Sequence, residues 1–253
     1  MCDRRTVGLT IDGSFEAFLC VIHAFYYEKI MPAHIVDEAL YQPTLGTAYL
    51  HIKTDPEKAA AVTEGIRKKI SADCLQYLYC AFLNKDEQRY MDLFHYVVAG
   101  FKTGRAIDRY EQWQSVLNTH KYARNTLNEA HFFKEFIRFK KTVSGVFYAR
   151  VEPENHVLPL IADHFASRMI DERFMIHDVR RRLAVVYDTA EWAIFDIPAN
   201  AETVVTLAGD ETDFQDLWIT FFNAVAVEER ISKKRQRNIL PLRYRKNMTE
   251  FKR

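Results

Sequence analysis

At 253 residues, 48% hydrophobic and 27% charged, the chain has an ordinary globular composition with ample material for a core. Its 8 Gly and 7 Pro argue against long flexible linkers, and four cysteines without a Cys-x-x-Cys pair argue against a zinc site or a secreted disulfide framework. The net charge of +1 conceals an asymmetry: Arg230 to Arg253 carry ten Lys or Arg and one acid, so a basic tail follows an acidic body.

The opening MCDRRTVGLTIDGS has no apolar signal-peptide core, and the longest apolar stretch, FLCVIHAFYY, is broken by His23 and too short to span a bilayer. A reduced, cytoplasmic protein is expected. VGLTI followed by Asp12-Gly13-Ser14 predicts a strand and a turn, with Ser14 placed to cap the next helix and Glu16 in its first turn. Phe15, Phe18, Leu19, Ile22, Phe25 and Tyr26 recur at helical spacing. QPTLGTAYLHIKT suits a turn and a strand, and Asp55-Pro56 starts another helix. Two helical segments are expected between Ser71 and Phe101, and residues 105 to 141 continue helically through NEAHFFKEFIRFKK.

The texture then changes. GVFYARVEP, RFMIHD, RLAVVYD and EWAIFDIP are short β-branched or aromatic runs, with a hairpin loop at TAEW and a helix over Leu158 to Met169. A last helix is expected from Asp213 to Arg230. The pattern predicts an α+β fold, a helix-rich N-terminal half packed with a small antiparallel sheet in the C-terminal half. We place a strand and helix region at 1–85 and a core with the basic segment at 86–253, forming one compact unit.

The basic tail, ISKKRQRNILPLRYRK, is the first candidate site. Lys233, Lys234, Arg235, Arg237, Arg243, Arg245 and Lys246 would neutralise phosphates, and Tyr244 would stack on a base. Its apolar centre, Ile239 to Leu242, equally suits a segment docked on its own domain. The second candidate is EAHFFKEFIRF, where helical spacing puts His131, Lys134 and Arg138 on one face. A phosphate or carboxylate would suit that stripe; a structural ion pair and an ordinary core histidine are the alternative. The third is ENHVLPLIADHFASR with FMIHD, bringing His164, Arg168, His177 and Asp178. Histidine with an orienting Asp can do acid–base work, although capping or surface roles account for the same residues. His156, His164 and His177 match no metal-ligand spacing, so no metal or other cofactor is expected. Arg180 and Arg181, in the turn after that strand, are further phosphate contacts or solvated charges that discourage edge pairing.

Several segments carry a resemblance: DGSFEAFL, GFKTG, EAHFFKEFIRF, GVFYARVEPENHVLPLIADHFASRM, FMIHD and KRQRNILPLRYRKNMTEF, collinear and densest from about residue 90 onward. They resemble a bacterial family of DNA metabolism proteins whose shared region is a domain of unknown function. The chain departs from its pattern at Phe132-Phe133, where a more basic pair is usual, and at Tyr244-Arg245, where Tyr-Trp is common. The resemblance implies association with a radical S-adenosylmethionine protein that modifies or repairs DNA, and kinship with a domain fused to uracil-DNA glycosylases. A radical enzyme of that kind needs Cys-x3-Cys-x2-Cys to hold its cluster, which this sequence lacks. The expected role is therefore a DNA- or RNA-binding accessory to the radical enzyme. A stand-alone enzyme using His and Arg on a nucleobase or DNA lesion, and an interaction scaffold that touches no nucleic acid, remain the alternatives.

Overall fold

A computed structural model of the chain describes residues 5–41, 49–143 and 145–197. Packing groups the chain into two compact units, Met1–Thr126 and Leu127–Arg253. The fold is α+β, with most helices in the first half and a five-stranded sheet in the second. The basic stretch 233–246 and the helix expected at 213–230 lie outside the described residues.

In the first unit β1 (Arg5–Ile11) lies between β2 (Ile30–Asp37) and β3 (Tyr49–His51), and both pairings are parallel. Parallel neighbours need a crossover, which α1 (Phe15–His23) supplies between β1 and β2. Two glycines make this corner possible. A Cβ on Gly8 would lie 2.6 Å from the Tyr49 ring, and Gly13 has φ of +78° with Asp37 Oδ2 2.6 Å from where its Cβ would stand.

IMPAHIVD carries no clear strand signal in the sequence, since Pro32 and His34 interrupt its alternation. The ladder explains the discrepancy: Val7 faces Pro32 and Gly8 faces His34, which leaves Ala33 as the extra residue of a bulge. Proline is tolerated at a bulge, where the ladder is already interrupted.

Ser14 caps α1 as its position predicts, accepting the Ala17 N–H at 3.0 Å from an extended backbone. We expect Ser14→Ala to cost about 1 kcal/mol and Ser14→Asp to cost little, read from urea melts. Asp55 and Ser71 perform the same task for α2 (Pro56–Lys69) and α3 (Ala72–Phe82). Together with α4 (Arg89–Thr103) these helices enclose Phe18, Leu93, Phe94 and Tyr96, all fully buried. Among the described residues no helix is long and apolar enough to cross a membrane.

The helix expected over 105–141 is interrupted. A tight 3-10 segment, Gly104–Arg109, follows α4, and α5 (Gln114–Phe136) ends five residues earlier than expected. Beyond it Phe139 packs edge-on against Phe165 and Phe174, and β4 (Lys140–Lys141) joins the second sheet. Tertiary packing of one aromatic ring outweighs local helical preference here.

The second unit has strand order β4-β5-β6-β7-β8, with β5 (Phe147–Val151), β6 (Phe174–Asp178), β7 (Leu183–Tyr187) and β8 (Trp192–Asp196). Three of its four pairings are antiparallel, but β5 and β6 run parallel. The expected antiparallel sheet is therefore a mixed one. The reason is α6 (Leu158–Arg168), a crossover that returns the chain in its original direction. Leu158, Ile161, Ala162 and Phe165 on α6 are buried in one cluster with Phe133, Phe174 and Ile176.

Candidate functional site

The crossover fixes where the polar side chains of the second unit fall. The last turns of α5, the link that follows it and the C-terminal half of α6 form a cleft of about 450 Å³. Its polar lining is His131, Lys134, Glu135, Arg138, His164 and Arg168, over an apolar floor that includes Phe139, Phe165 and Met169. Two segments singled out separately in the sequence thus meet. His131 and Lys134 come from α5, while His164 and Arg168 sit one turn apart on α6. Arg138 lies two residues past the end of α5, so helical spacing does not place it. It reaches the cleft from the extended link to β4 and donates to the carbonyls of Ile137 (3.4 Å) and Glu135 (3.5 Å).

Lys134, Arg138 and Arg168 bring positive charge to the cleft, and Glu135 is the single acid among its described lining residues. That carboxylate lies 3.1 Å from His131 Nε2. His164 registers the resulting field. Burial first, and then the positive charges of Lys134 and Arg168, lower its pKa below the usual histidine value. Its Nε2 is buried and has no hydrogen-bond partner among the described residues. A concave site of this size with converging cations and an unsatisfied imidazole nitrogen suits an oxyanion.

His177 and Asp178 lie elsewhere. They are neighbours on β6, so their side chains leave opposite faces of the sheet. His177 Nδ1 lies 2.9 Å from the Tyr148 hydroxyl. Asp178, wholly buried, accepts from the backbone N–H groups of Arg180 (3.1 Å) and Arg181 (3.2 Å) and from Arg181 Nη1 (2.9 Å). Burial outweighs these donors and holds the Asp178 carboxyl above its usual range.

Arg181 also donates to the carbonyls of Pro153 and Glu154. Its guanidinium is thus turned inward, whereas Arg180 is exposed. From the other side Glu129, on α5, accepts from Glu154 N–H (2.8 Å), Asn155 N–H (2.8 Å) and Asn155 Nδ2 (2.6 Å). Residues 153–155 are therefore clamped between two charged side chains, shortly before α6 begins. The clamp sets the start of the helix that carries His164 and Arg168. Nothing in the sequence pattern foretells this role for Glu129 itself. The available signal was a polar Glu-Asn-His run between a strand and a helix, whose buried groups had to find partners.

Among the described residues no three His, Cys, Asp or Glu gather closely enough to hold a metal ion. Cys20, Cys74 and Cys80 are buried, and none forms a disulfide.

Compared with known proteins, residues 87–250 match the family model described as domain of unknown function DUF4130. No curated protein and no solved structure matches the chain.

Proposed function

Because the chain belongs to the DUF4130 family, whose model covers well over half of it, we propose that it is a nucleic-acid-binding accessory protein of DNA modification or repair. The family fixes no activity, so the reading rests on chemistry. The observation that carries it is the basic cleft, with Lys134, Arg138 and Arg168 around His164 and one acid among its described lining residues. Arginine forks and lysine ammonium groups complement phosphate oxygens, and a cleft that already depresses His164 has a field that an anion would relieve.

On this reading the cleft seats a backbone phosphate, and the basic stretch with Lys233, Lys234, Arg235, Arg237, Arg243, Arg245 and Lys246 extends the contact along the strand. Tyr244 supplies a stacking surface. The absence of the radical-enzyme cysteine motif suits an accessory that presents DNA to a radical S-adenosylmethionine partner.

Fluorescence anisotropy of labelled single- and double-stranded DNA tests the binding. Affinity should fall steeply between about 50 and 200 mM salt, as released counterions require. Lys134→Glu with Arg168→Glu should weaken binding at least about tenfold and reduce the magnitude of the salt slope by about two. Absence of DNA binding by the wild type at low salt would sink the proposal. An unchanged slope in the double variant would remove the cleft from it.

A further inference from the structure

We propose that the first unit contains a separate binding site for a mononucleotide, which stacks the base on aromatic side chains and holds the phosphate with two lysines. The inference goes beyond the nucleic-acid reading above and does not depend on it. The site is a cleft of about 430 Å³ bounded by the end of α1 with its following turn, by α2 and by the end of α4.

Its shape follows from the chain. After α1 the helix widens over Ala24–Glu28 into a turn closed by i to i+5 hydrogen bonds, and Lys29 then reverses the backbone with φ of 58°. Such widened turns frequently occur at functional sites. This one places consecutive tyrosines, Tyr26 and Tyr27, at the cleft. From α2 come Ala61 and Gly65, one turn apart, and the Phe101 ring packs 3.6 Å from where a Gly65 Cβ would stand.

The aromatic groups are arranged for stacking. Tyr27 is 72% exposed, an unusual state for so large a ring, and one of its faces stacks on His23 with centroids 4.4 Å apart and planes at 20°. Phe101 stands edge-on to Tyr26 at 5.4 Å. Every nucleobase has a π face, so such a surface binds bases without demanding a particular sequence. His23 Nδ1 is buried and has no hydrogen-bond partner among the described residues.

Charge selects among aromatic ligands. Lys69 and Lys102 line the cleft, with Lys69 Nζ 5.8 Å from the Phe101 ring centre, and no carboxylate stands among its described lining residues. Glu28 and Glu64, next in sequence to the lining residues Tyr27 and Gly65, are paired with Lys58 and Lys68, each at 3.0 Å. An uncharged aromatic would leave both ammonium groups unused, and inorganic phosphate alone would leave the rings unused. A mononucleotide uses both, and the volume lies within the range of small-molecule sites.

The full chain titrated with adenosine and thymidine monophosphates, followed by tyrosine fluorescence and saturation-transfer NMR, tests this. Saturable binding is expected, about tenfold weaker for the nucleosides and for Tyr27→Ala. Lys69→Gln with Lys102→Gln should abolish the preference for nucleotide over nucleoside. These side chains are exposed, so thermal melts should show folded variants. The Lys134→Glu/Arg168→Glu variant should bind mononucleotide like the wild type, which separates this site from the cleft of the second unit. No saturable binding, equal binding by Tyr27→Ala, or binding of oligothymidylate but not of a mononucleotide would overturn the proposal.

Discussion

Replacing Arg181 by Met should destabilise the protein by about 3–5 kcal/mol at neutral pH, because it leaves the Asp178 carboxylate buried without its cation. Asp178 is fully buried, and Arg181 is its only side-chain partner among the described hydrogen bonds. The same substitution releases the carbonyls of Pro153 and Glu154, each of which must then find another donor. The pH dependence identifies the cause. A carboxyl whose pKa is raised in the folded state is at no disadvantage below the ordinary carboxylate range, where it is protonated folded and unfolded. Its penalty develops as pH rises through the folded value and persists above it. Asp178 is already raised by burial against the pull of Arg181, and losing the guanidinium raises it further. The cost of Arg181→Met should therefore be larger at pH 7 than near pH 5, measured by urea unfolding of both proteins. Equal costs at the two pH values would mean that lost packing, not the stranded charge, is responsible. Because residues 153–156 lead into α6, the variant should also weaken anion binding in the cleft lined by His164 and Arg168.

How far the sequence alone foretold this arrangement depended on how local the cause was. The cap of α1 was legible because Ser14 and the apolar spacing behind it act within one turn. The β7–β8 hairpin was legible too: Asp188 accepts from Ala190 and Glu191 N–H groups, and Trp192, placed in the expected loop, instead opens β8 opposite Tyr187. What failed to show was non-local. Strand β2 is held by β1 despite a proline, and the end of α5 is decided by where Phe139 can pack. Parallel pairing of β5 with β6 was implicit in the order strand, helix, strand, but alternation within each strand says nothing of direction. The candidate site divides in the same way. His131, Lys134, Arg138, His164 and Arg168 were visible as two polar patches, and only the packing of α6 against its sheet unites them in one cleft. His177 and Asp178 look like a pair in sequence, yet a strand turns neighbours to opposite faces. The roles of Glu129 and Arg181 were opaque, since most of their partners are backbone groups of a loop.

That loop also makes the protein sensitive to acid. His156 follows the clamped residues, and burial first, then the adjacent Arg181 charge, pushes its pKa down to about 4. Its Nδ1 is buried and has no hydrogen-bond partner among the described residues, so nothing there favours the charged form. The unfolded chain exposes an ordinary histidine that takes up its proton near pH 6.5. Between these values unfolding is accompanied by proton uptake, so stability is intact above about pH 6.5 and is lost as pH falls toward 4. Across that window the loss should approach about 3 kcal/mol. Asp178 acts with the opposite sign, since its protonation at low pH relieves a buried charge, so the wild-type profile alone does not isolate the histidine. His156→Leu does. It removes the titrating group while keeping a buried apolar side chain, and the difference between the two stability curves from pH 7.5 to 4.5 should approach that same figure. In the Arg181→Met background the difference should shrink, because one of the two causes depressing His156 has been removed. Parallel curves for wild type and His156→Leu would refute the assignment. Diverging curves would tie the acid lability of the second unit to the loop that positions α6 and its cleft.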